Sequence, residues 1–143
     1  MKKEINVVGA VVVDGGKILC ARRSETMSLP GMWEFPGGKI EAGETPRAAL
    51  AREMREELDC VVEVEEQVES TRHEYDFGFV TLTTFYSTLA GDAPRLREHS
   101  EIRWLDPGEL GSLEWAPADI PAVEKIAADD AAAAADVSRP AGR

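Results

Sequence analysis

The stretch of residues 5–13 constrains the fold more than any other part of the sequence. Its sequence is INVVGAVVV, so apolar residues are nearly continuous and do not alternate with polar ones. A half-buried strand alternates apolar and polar side chains, whereas a strand covered on both faces is apolar along its length. We therefore predict that residues 5–13 form a β-strand that is buried on both faces.

The residues that follow this strand predict a hairpin. Residues 14–17, Asp-Gly-Gly-Lys, include types that tolerate a positive φ, and residues 18–21 resume an apolar run. Thr45 is a candidate N-cap for a helix, and Pro46 suits the first helical position. Composition and periodicity predict further strands at 61–68, 79–89 and 102–105, and helices at 46–58 and 119–128.

Net charge narrows the class of partner. The 143 residues include 27 Asp or Glu and 16 Lys or Arg, for a formal net charge of −11. A surface of this sign repels nucleic-acid backbones and anionic membranes. A metal-chelated nucleotide stays compatible with it, because divalent cations reverse the local electrostatics. We therefore expect a small-molecule partner, and neither polymeric nucleic acid nor a membrane.

Length, composition and the two cysteines predict the domain organisation and the cellular compartment. The length suits one domain, which we place over residues 1–128, and the alanine-rich residues 129–143 are expected to be a disordered tail. No apolar run reaches transmembrane length, and no signal-peptide cleavage pattern follows the N-terminus. Cys20 and Cys60 lie in apolar contexts without metal-ligand spacing, so we expect buried free thiols and a cytoplasmic protein.

A cluster of glutamates on the first predicted helix has two interpretations. Glu53, Glu56 and Glu57 stand at i, i+3 and i+4, so they share one helical face. Such a run is usually a solvated acidic surface. Clustered carboxylates with a backbone carbonyl are also the ligands that Mg²⁺ or Mn²⁺ takes.

The spacing around these glutamates resembles the Nudix box. Gly38 is followed after five residues by Glu44, and after seven more by residues 52–57, Arg-Glu-Met-Arg-Glu-Glu. The family motif has a glycine, a glutamate and an Arg-Glu-aliphatic-X-Glu-Glu helix at these distances. One departure is Asp59, which stands where the family has a glycine that ends the helix in a left-handed conformation. Asp tolerates that conformation better than most residues do.

Outside the box, the sequence resembles the MutT-like branch of the family, with its CTP pyrophosphohydrolase and 8-oxo-dGTP diphosphatase members. Residues 22–23, 34–36, Trp104 and 115–121 carry this resemblance, which covers roughly residues 3–128. It implies an α/β fold, namely the Nudix fold: an α/β/α sandwich with a mixed β-sheet. The implied oligomeric state is open between monomer and homodimer.

The resemblance also implies an activity. A Mg²⁺- or Mn²⁺-dependent pyrophosphohydrolase would convert a (d)NTP and water to the (d)NMP and pyrophosphate. It would thereby remove oxidised or non-standard nucleotides, of the 8-oxo-dGTP or CTP/dCTP type. The alternatives are another nucleoside diphosphate derivative, such as a nucleotide sugar or a dinucleoside polyphosphate, and a non-catalytic nucleotide-binding module on the same fold.

Carried over residue by residue, the resemblance implies a metal set and a catalytic set. The metal ligands would be the carbonyl of Gly37 and the carboxylates of Glu53, Glu56, Glu57 and Glu98. For Glu98, a solvated loop charge is the alternative. Arg52 would orient the helix glutamates, and either Glu44 or Glu53 would help to deprotonate the attacking water.

The expected substrate contacts are Arg23 for the phosphates, Phe35, Phe77 and Phe79 for stacking on the base, and Asp119 for reading the base. Core packing is the alternative for each aromatic residue. The position of Asp119 holds an amide in the guanine-oxidation enzyme of the branch. An ionised Asp would accept hydrogen bonds from the amine of cytosine or from donors on a guanine edge. Capping of the last helix is the alternative for Asp119.

Overall fold

Strand β1 (Lys3–Asp14) lies at the centre of the sheet in the computed structural model, which describes residues 2–137. It pairs in parallel with β6 (Gly78–Leu89) and antiparallel with β2 (Lys17–Arg22) and β4 (Gly37–Lys39). The predicted strand is confirmed, and so is the hairpin, since Gly15 and Gly16 adopt φ values of 58° and 80°.

The mixed sheet continues outward from both sides of β1. Strand β2 also pairs with β3 (Trp33–Glu34) and β7 (Glu101–Leu105), and β6 pairs with β5 (Val62–Tyr75). Strand β5 extends well beyond the predicted residues 61–68. It lies at the edge of the sheet with only β6 beside it, so its second half is largely polar and escapes a hydrophobicity pattern.

Helix α1 (Pro46–Leu58) covers one face of the sheet and has the predicted bounds. Its N-terminus is capped by Thr45, whose Oγ1 accepts a hydrogen bond from the Ala48 amide at 3.1 Å. Its C-terminus ends at Asp59, which adopts the left-handed conformation with a φ of 51°. The chain therefore keeps the helix end that the family glycine usually provides.

Helix α2 (Ile120–Val137) covers the opposite face, so the predicted sandwich is confirmed. Val8 and Val12 of β1 pack in the core beneath α1, whereas Val11 packs in the core with α2. Helix α2 continues through residues 129–137, at the start of the alanine-rich tail, because alanine favours the helix even where it buries little. Residues 138–143 lie outside the described part of the chain.

Both cysteines have the predicted environment. Cys20 and Cys60 are buried and free, and burial raises the pKa of their thiols to about 12 and about 11. Over the residues described, neither α1 nor α2 combines the length and apolarity that a membrane crossing requires.

Candidate active site

A cavity of about 390 Å³ collects most of the predicted site residues. Its walls come from β1, from the loop before β3, from β3 and β4, from α1, from β5 and β6, and from the residues just before β7 and α2. Two kinds of side chain face it. Carboxylates of Glu57 and Glu98 line it together with Gly37, and aromatic rings of Phe35, Tyr75 and Phe77 line it together with Asp119.

Arg52 forms hydrogen bonds with three of the predicted site glutamates. Its guanidinium donates to Glu44 at 2.7 and 2.9 Å, to Glu53 at 3.2 Å and to Glu56 at 3.0 Å. It also donates to the carbonyl of Lys39 at 3.0 Å, which ties α1 to β4. The predicted orienting role of Arg52 corresponds to this geometry, because a planar fork can hold several carboxylates in fixed directions.

Glu44 and Glu53 differ sharply in environment. Both oxygens of Glu44 are held by Arg52, and one also accepts from the Glu41 amide at 2.9 Å, so the pKa of Glu44 falls to about 2. Burial raises the pKa of Glu53 above its usual value, against the opposing effect of Arg52. The side chain of Glu53 is only 12% exposed and lies directly against Gly38.

Close approach of neighbouring atoms leaves little room for a side chain at positions 37 and 38. A Cβ on Gly37 would come within 1.9 Å of the Val8 carbonyl oxygen, and one on Gly38 within 2.3 Å of the Glu53 carboxyl carbon. Strand β4 therefore packs tightly between β1 and α1. This packing brings the Gly37 backbone into the same cavity as Glu57.

Glu57 and Glu98 form the acidic part of the cavity. Burial raises the pKa of Glu57, and the charges of Glu98 and Glu53 raise it further. A cation between these carboxylates would relieve their repulsion, and their oxygens suit Mg²⁺ or Mn²⁺. The donor set therefore fits a hard divalent cation in chemistry.

Glu56 stands apart from this set. Its side chain is 54% exposed, points to Arg52 and does not line the cavity. Within residues 2–137, no three His, Cys, Asp or Glu side chains are already gathered closely enough to hold a metal ion. Binding would therefore draw these carboxylates closer together than they lie in the structure.

A part-buried network of hydrogen bonds joins Arg23, Glu34 and His99 in the wall of the cavity. Glu34 accepts from Arg23 Nη1 at 2.6 Å and from His99 Nε2 at 2.8 Å. Arg23 also donates to Ser28 Oγ at 2.9 Å, so its guanidinium is fixed on the cavity wall.

Asp119 is buried, and its carboxyl group contacts the backbone of Phe35. Its Oδ1 accepts from the Phe35 amide at 3.0 Å, and it caps neither α2 nor the preceding 3₁₀ turn among the described contacts. Burial and the charge of Glu34 raise the pKa of Asp119 well above its usual value. The carboxyl group is therefore biased toward its neutral form, in contrast to the ionised Asp expected from sequence.

The aromatic residues divide into two sets. Phe35 is 2% exposed and Phe77 is 47% exposed, and both line the cavity. Tyr75 stacks on Phe77 with ring centroids 5.1 Å apart, and its hydroxyl accepts from the Ala118 amide at 2.8 Å. Phe79 does not line the cavity; the Arg72 guanidinium lies 3.8 Å from its ring centroid.

Comparison with known proteins decides the family. Residues 3–126 match the family model described as the NUDIX domain. The chain belongs to the Nudix family. A Mycobacterium tuberculosis (strain H37Rv) protein with the provisional name 8-oxo-dGTP diphosphatase 2 is 41% identical, over 97% of this chain and 99% of that protein. The CTP pyrophosphohydrolase of Escherichia coli (strain K12) is 39% identical, over 94% and 99%.

The solved structures agree with this assignment. The solution structure of the E. coli ORF135 protein superposes with a TM-score of 0.79 at 37% identity, covering 98% of this chain and 96% of that one. The predicted MutT-like Nudix hydrolase and its α/β fold are therefore confirmed. The individual site residues rest on the geometry given above.

Three residues of the Nudix site were missed by the sequence reasoning. Glu34 lies in the segment 34–36 that carries the family resemblance, whereas no predicted motif includes Tyr75 or His99. The adjacency of His99 to Glu98 was the one available signal. All three line the cavity.

Proposed function

We propose that this Nudix hydrolase splits a (d)NTP with water into the (d)NMP and pyrophosphate, and that its substrates are oxidised or non-standard nucleotides. The observation that carries the proposal is one cavity with both acidic and aromatic walls. The acidic wall of Glu57 and Glu98 suits a metal-bound triphosphate. The aromatic wall of Phe35 and Phe77 suits a base, since bases stack on aromatic rings. The names of the M. tuberculosis and E. coli relatives support the same class of substrate.

The metal ligands that we propose are the carboxylates of Glu53, Glu57 and Glu98 and the carbonyl of Gly37. Glu56 would join them on leaving Arg52. When bound, Mg²⁺ or Mn²⁺ neutralises phosphate charge and acidifies water. The raised pKa values of Glu53 and Glu57 support this assignment, because burial disfavours the negative charge of both carboxylates and a bound cation would offset that cost.

Glu53 is the better candidate for the general base. A carboxylate whose pKa is about 2 accepts a proton poorly, so Glu44 is suited to holding Arg52. Glu53 would take the proton from the attacking water as the water oxygen bonds to phosphorus and the anhydride bond to the pyrophosphate breaks. Arg52 keeps the Glu53 carboxylate in place during this step.

Asp119 is proposed to contact the base. Its Oδ1 is held by the Phe35 amide, while Oδ2 takes no hydrogen bond from any described residue and the side chain lines the cavity. A neutral carboxyl group offers one donor and one acceptor. The cytosine edge, with its N3 acceptor and N4 amine, and the edge of an oxidised guanine, with O6 and a protonated N7, both present the complementary pair.

The decisive experiment is phosphate release with and without added pyrophosphatase, over CTP, dCTP, 8-oxo-dGTP, a nucleotide sugar and a dinucleoside polyphosphate. We expect phosphate only after pyrophosphatase is added, and only from the triphosphates. Glu53→Gln should abolish most of this release, whereas Glu63→Gln, an exposed glutamate on β5, should not.

Other outcomes would contradict the proposal. Turnover confined to the nucleotide sugar or the dinucleoside polyphosphate, detected by phosphatase treatment of the products, would assign a different substrate class. Nucleotide binding without any product would favour a non-catalytic module.

A further inference from the structure

His99 is a buried polar residue that the proposed chemistry does not use. Its side chain is 1% exposed, and its Nε2 lies 2.8 Å from Glu34 Oε2. Its other ring nitrogen, Nδ1, is buried and has no hydrogen-bond partner among residues 2–137. A leucine would fill this space without leaving a buried polar atom unpaired, so packing alone does not account for histidine.

The place of His99 in the chain is equally specific. It directly follows Glu98, a proposed metal ligand, and precedes β7. The next residue, Ser100, donates its amide to the Arg22 carbonyl at 3.0 Å, which fixes the backbone of this segment to the end of β2. The His99 side chain then crosses to Glu34 at the end of β3.

The Glu34 carboxylate depends on this contact. One oxygen accepts from Arg23 and the other from His99, so the group is held from two sides. Glu34 lines the cavity and acts on Asp119, since its charge contributes to the raised pKa of Asp119. Without His99, the Glu34 carboxylate would keep only its hydrogen bond to Arg23 among those described, and its side chain could change orientation.

We infer that His99 is a positioning residue whose bond to Glu34 joins the segment that carries Glu98 to the base-binding wall of the cavity. This role rests on the proposed function. This hydrogen bond acts together with the Ser100–Arg22 backbone contact to hold the segment that carries Glu98 against the strand that carries Glu34. A carboxylate oxygen accepts hydrogen bonds, so Nε2 of His99 is the donor in its bond to Glu34.

Three variants test the inference. His99→Leu removes the donor and should lower kcat/KM by about tenfold to a hundredfold, the range for a lost hydrogen bond to a charged group. His99→Gln keeps an amide nitrogen that can donate to Glu34 and should recover most of the activity. Val123→Ala, on the buried face of α2, is the control for lost stability, and should lower the melting temperature without the same loss of kcat/KM.

A double-mutant cycle shows whether His99 acts through Glu34. On a Glu34→Gln background, His99→Leu should change kcat/KM by less than about twofold, because the acceptor charge is already gone. A full tenfold or greater loss on that background would overturn the inference. So would equal activity of His99→Leu and the wild type, or a His99→Gln variant as impaired as His99→Leu.

Binding of Mn²⁺ alone, followed by electron paramagnetic resonance, provides a readout that needs no turnover. His99→Leu should weaken Mn²⁺ binding by about threefold to tenfold, because the segment that carries Glu98 loses its hydrogen bond to Glu34. Unchanged Mn²⁺ affinity in a folded His99→Leu protein would contradict the link to Glu98. A wild-type protein that hydrolyses none of the nucleotides would overturn the proposed function, and the Mn²⁺ comparison would still test His99.

Discussion

Replacing Gly38 by alanine tests the position of the Glu53 carboxylate without removing a charge. An added Cβ would lie 2.3 Å from the Glu53 carboxyl carbon and 2.4 and 2.5 Å from its oxygens. Ordinary van der Waals contacts begin at 3.4 Å, so the carboxylate must retreat by about 1 Å. Gly38 has no positive φ, and the alanine backbone is therefore unstrained.

The expected effect is on turnover and not on folding. A misplacement of about 1 Å at a reacting group can cost on the order of a hundredfold in rate, or about 2.7 kcal/mol of transition-state stabilisation. The clash involves only the carboxyl group of Glu53, which lies at the end of a flexible side chain and can move. Replacing glycine by alanine also reduces the conformational entropy of the unfolded chain, which favours the folded state. The free energy of unfolding should therefore change by less than about 1 kcal/mol.

The assay compares kcat on a (d)NTP with the unfolding midpoint in urea for three alanine variants. Gly37→Ala would place Cβ 1.9 Å from the Val8 carbonyl oxygen and 2.9 Å from Gly9 Cα, both backbone atoms, so this variant should unfold or lose most of its stability. Gly91→Ala has nothing within 4 Å of the new Cβ and should match the wild type. A Gly38→Ala protein with turnover within about twofold of wild type would refute the placement of Glu53.

Three further predictions follow from the site and from the end of α1. Glu57→Gln should lower turnover in saturating Mg²⁺ by on the order of a hundredfold while circular dichroism is unchanged, and the melting temperature should hold or rise because repulsion from Glu98 is removed. Asp119 has a raised pKa, so its contribution to stability is complete below the pKa of the unfolded chain and is lost as the pH rises toward the folded value. Asp119→Asn should therefore raise the melting temperature at neutral pH and flatten its fall above about pH 4, and a pH series of thermal melts that stays parallel to wild type would contradict this. Asp59→Gly relieves a left-handed φ of 51° and should stabilise the protein by about 1 kcal/mol with unchanged kcat, which chemical denaturation can measure.

The parts of the fold that were predicted are those whose signals are local. Helix α1 was predicted with its correct bounds because Thr45 and Pro46 mark its start and its apolar stripe has helical period. Strand β4 was not predicted, because glycines carry no hydrophobic pattern. The reason for glycine at these positions is the close approach of β1 and of Glu53 on α1, which only the folded structure shows. The end of α2 is harder to predict, because in residues 129–137 the helix preference of alanine and the lack of large apolar side chains point in opposite directions.

The candidate site shows the same division. The helical spacing placed the glutamates of α1 on one face, and the resemblance to the Nudix box then implied that they hold a metal ion. The network of Glu34 with Arg23 and His99 joins residues far apart in the chain, and no pattern in a single sequence reports such contacts. The reversal at Asp119 also depends on tertiary burial, which decides whether its carboxyl group favours the charged or the neutral form.

The parallel pairing of β1 with β6 has a consequence for how the chain reaches its native state. Its register joins Lys3 to Gly78 and continues to Val12 and Ser87, so every pair in this ladder is separated by the same long stretch of chain. Closing such a loop carries an entropic cost before any contact repays it, and topologies of this kind fold slowly. During synthesis, β1 leaves the ribosome before β6, so this parallel pair cannot form until β6 has also been made. The apolar run of residues 5–13, which fixes the architecture, is therefore also the segment that stays exposed longest and most needs protection from aggregation.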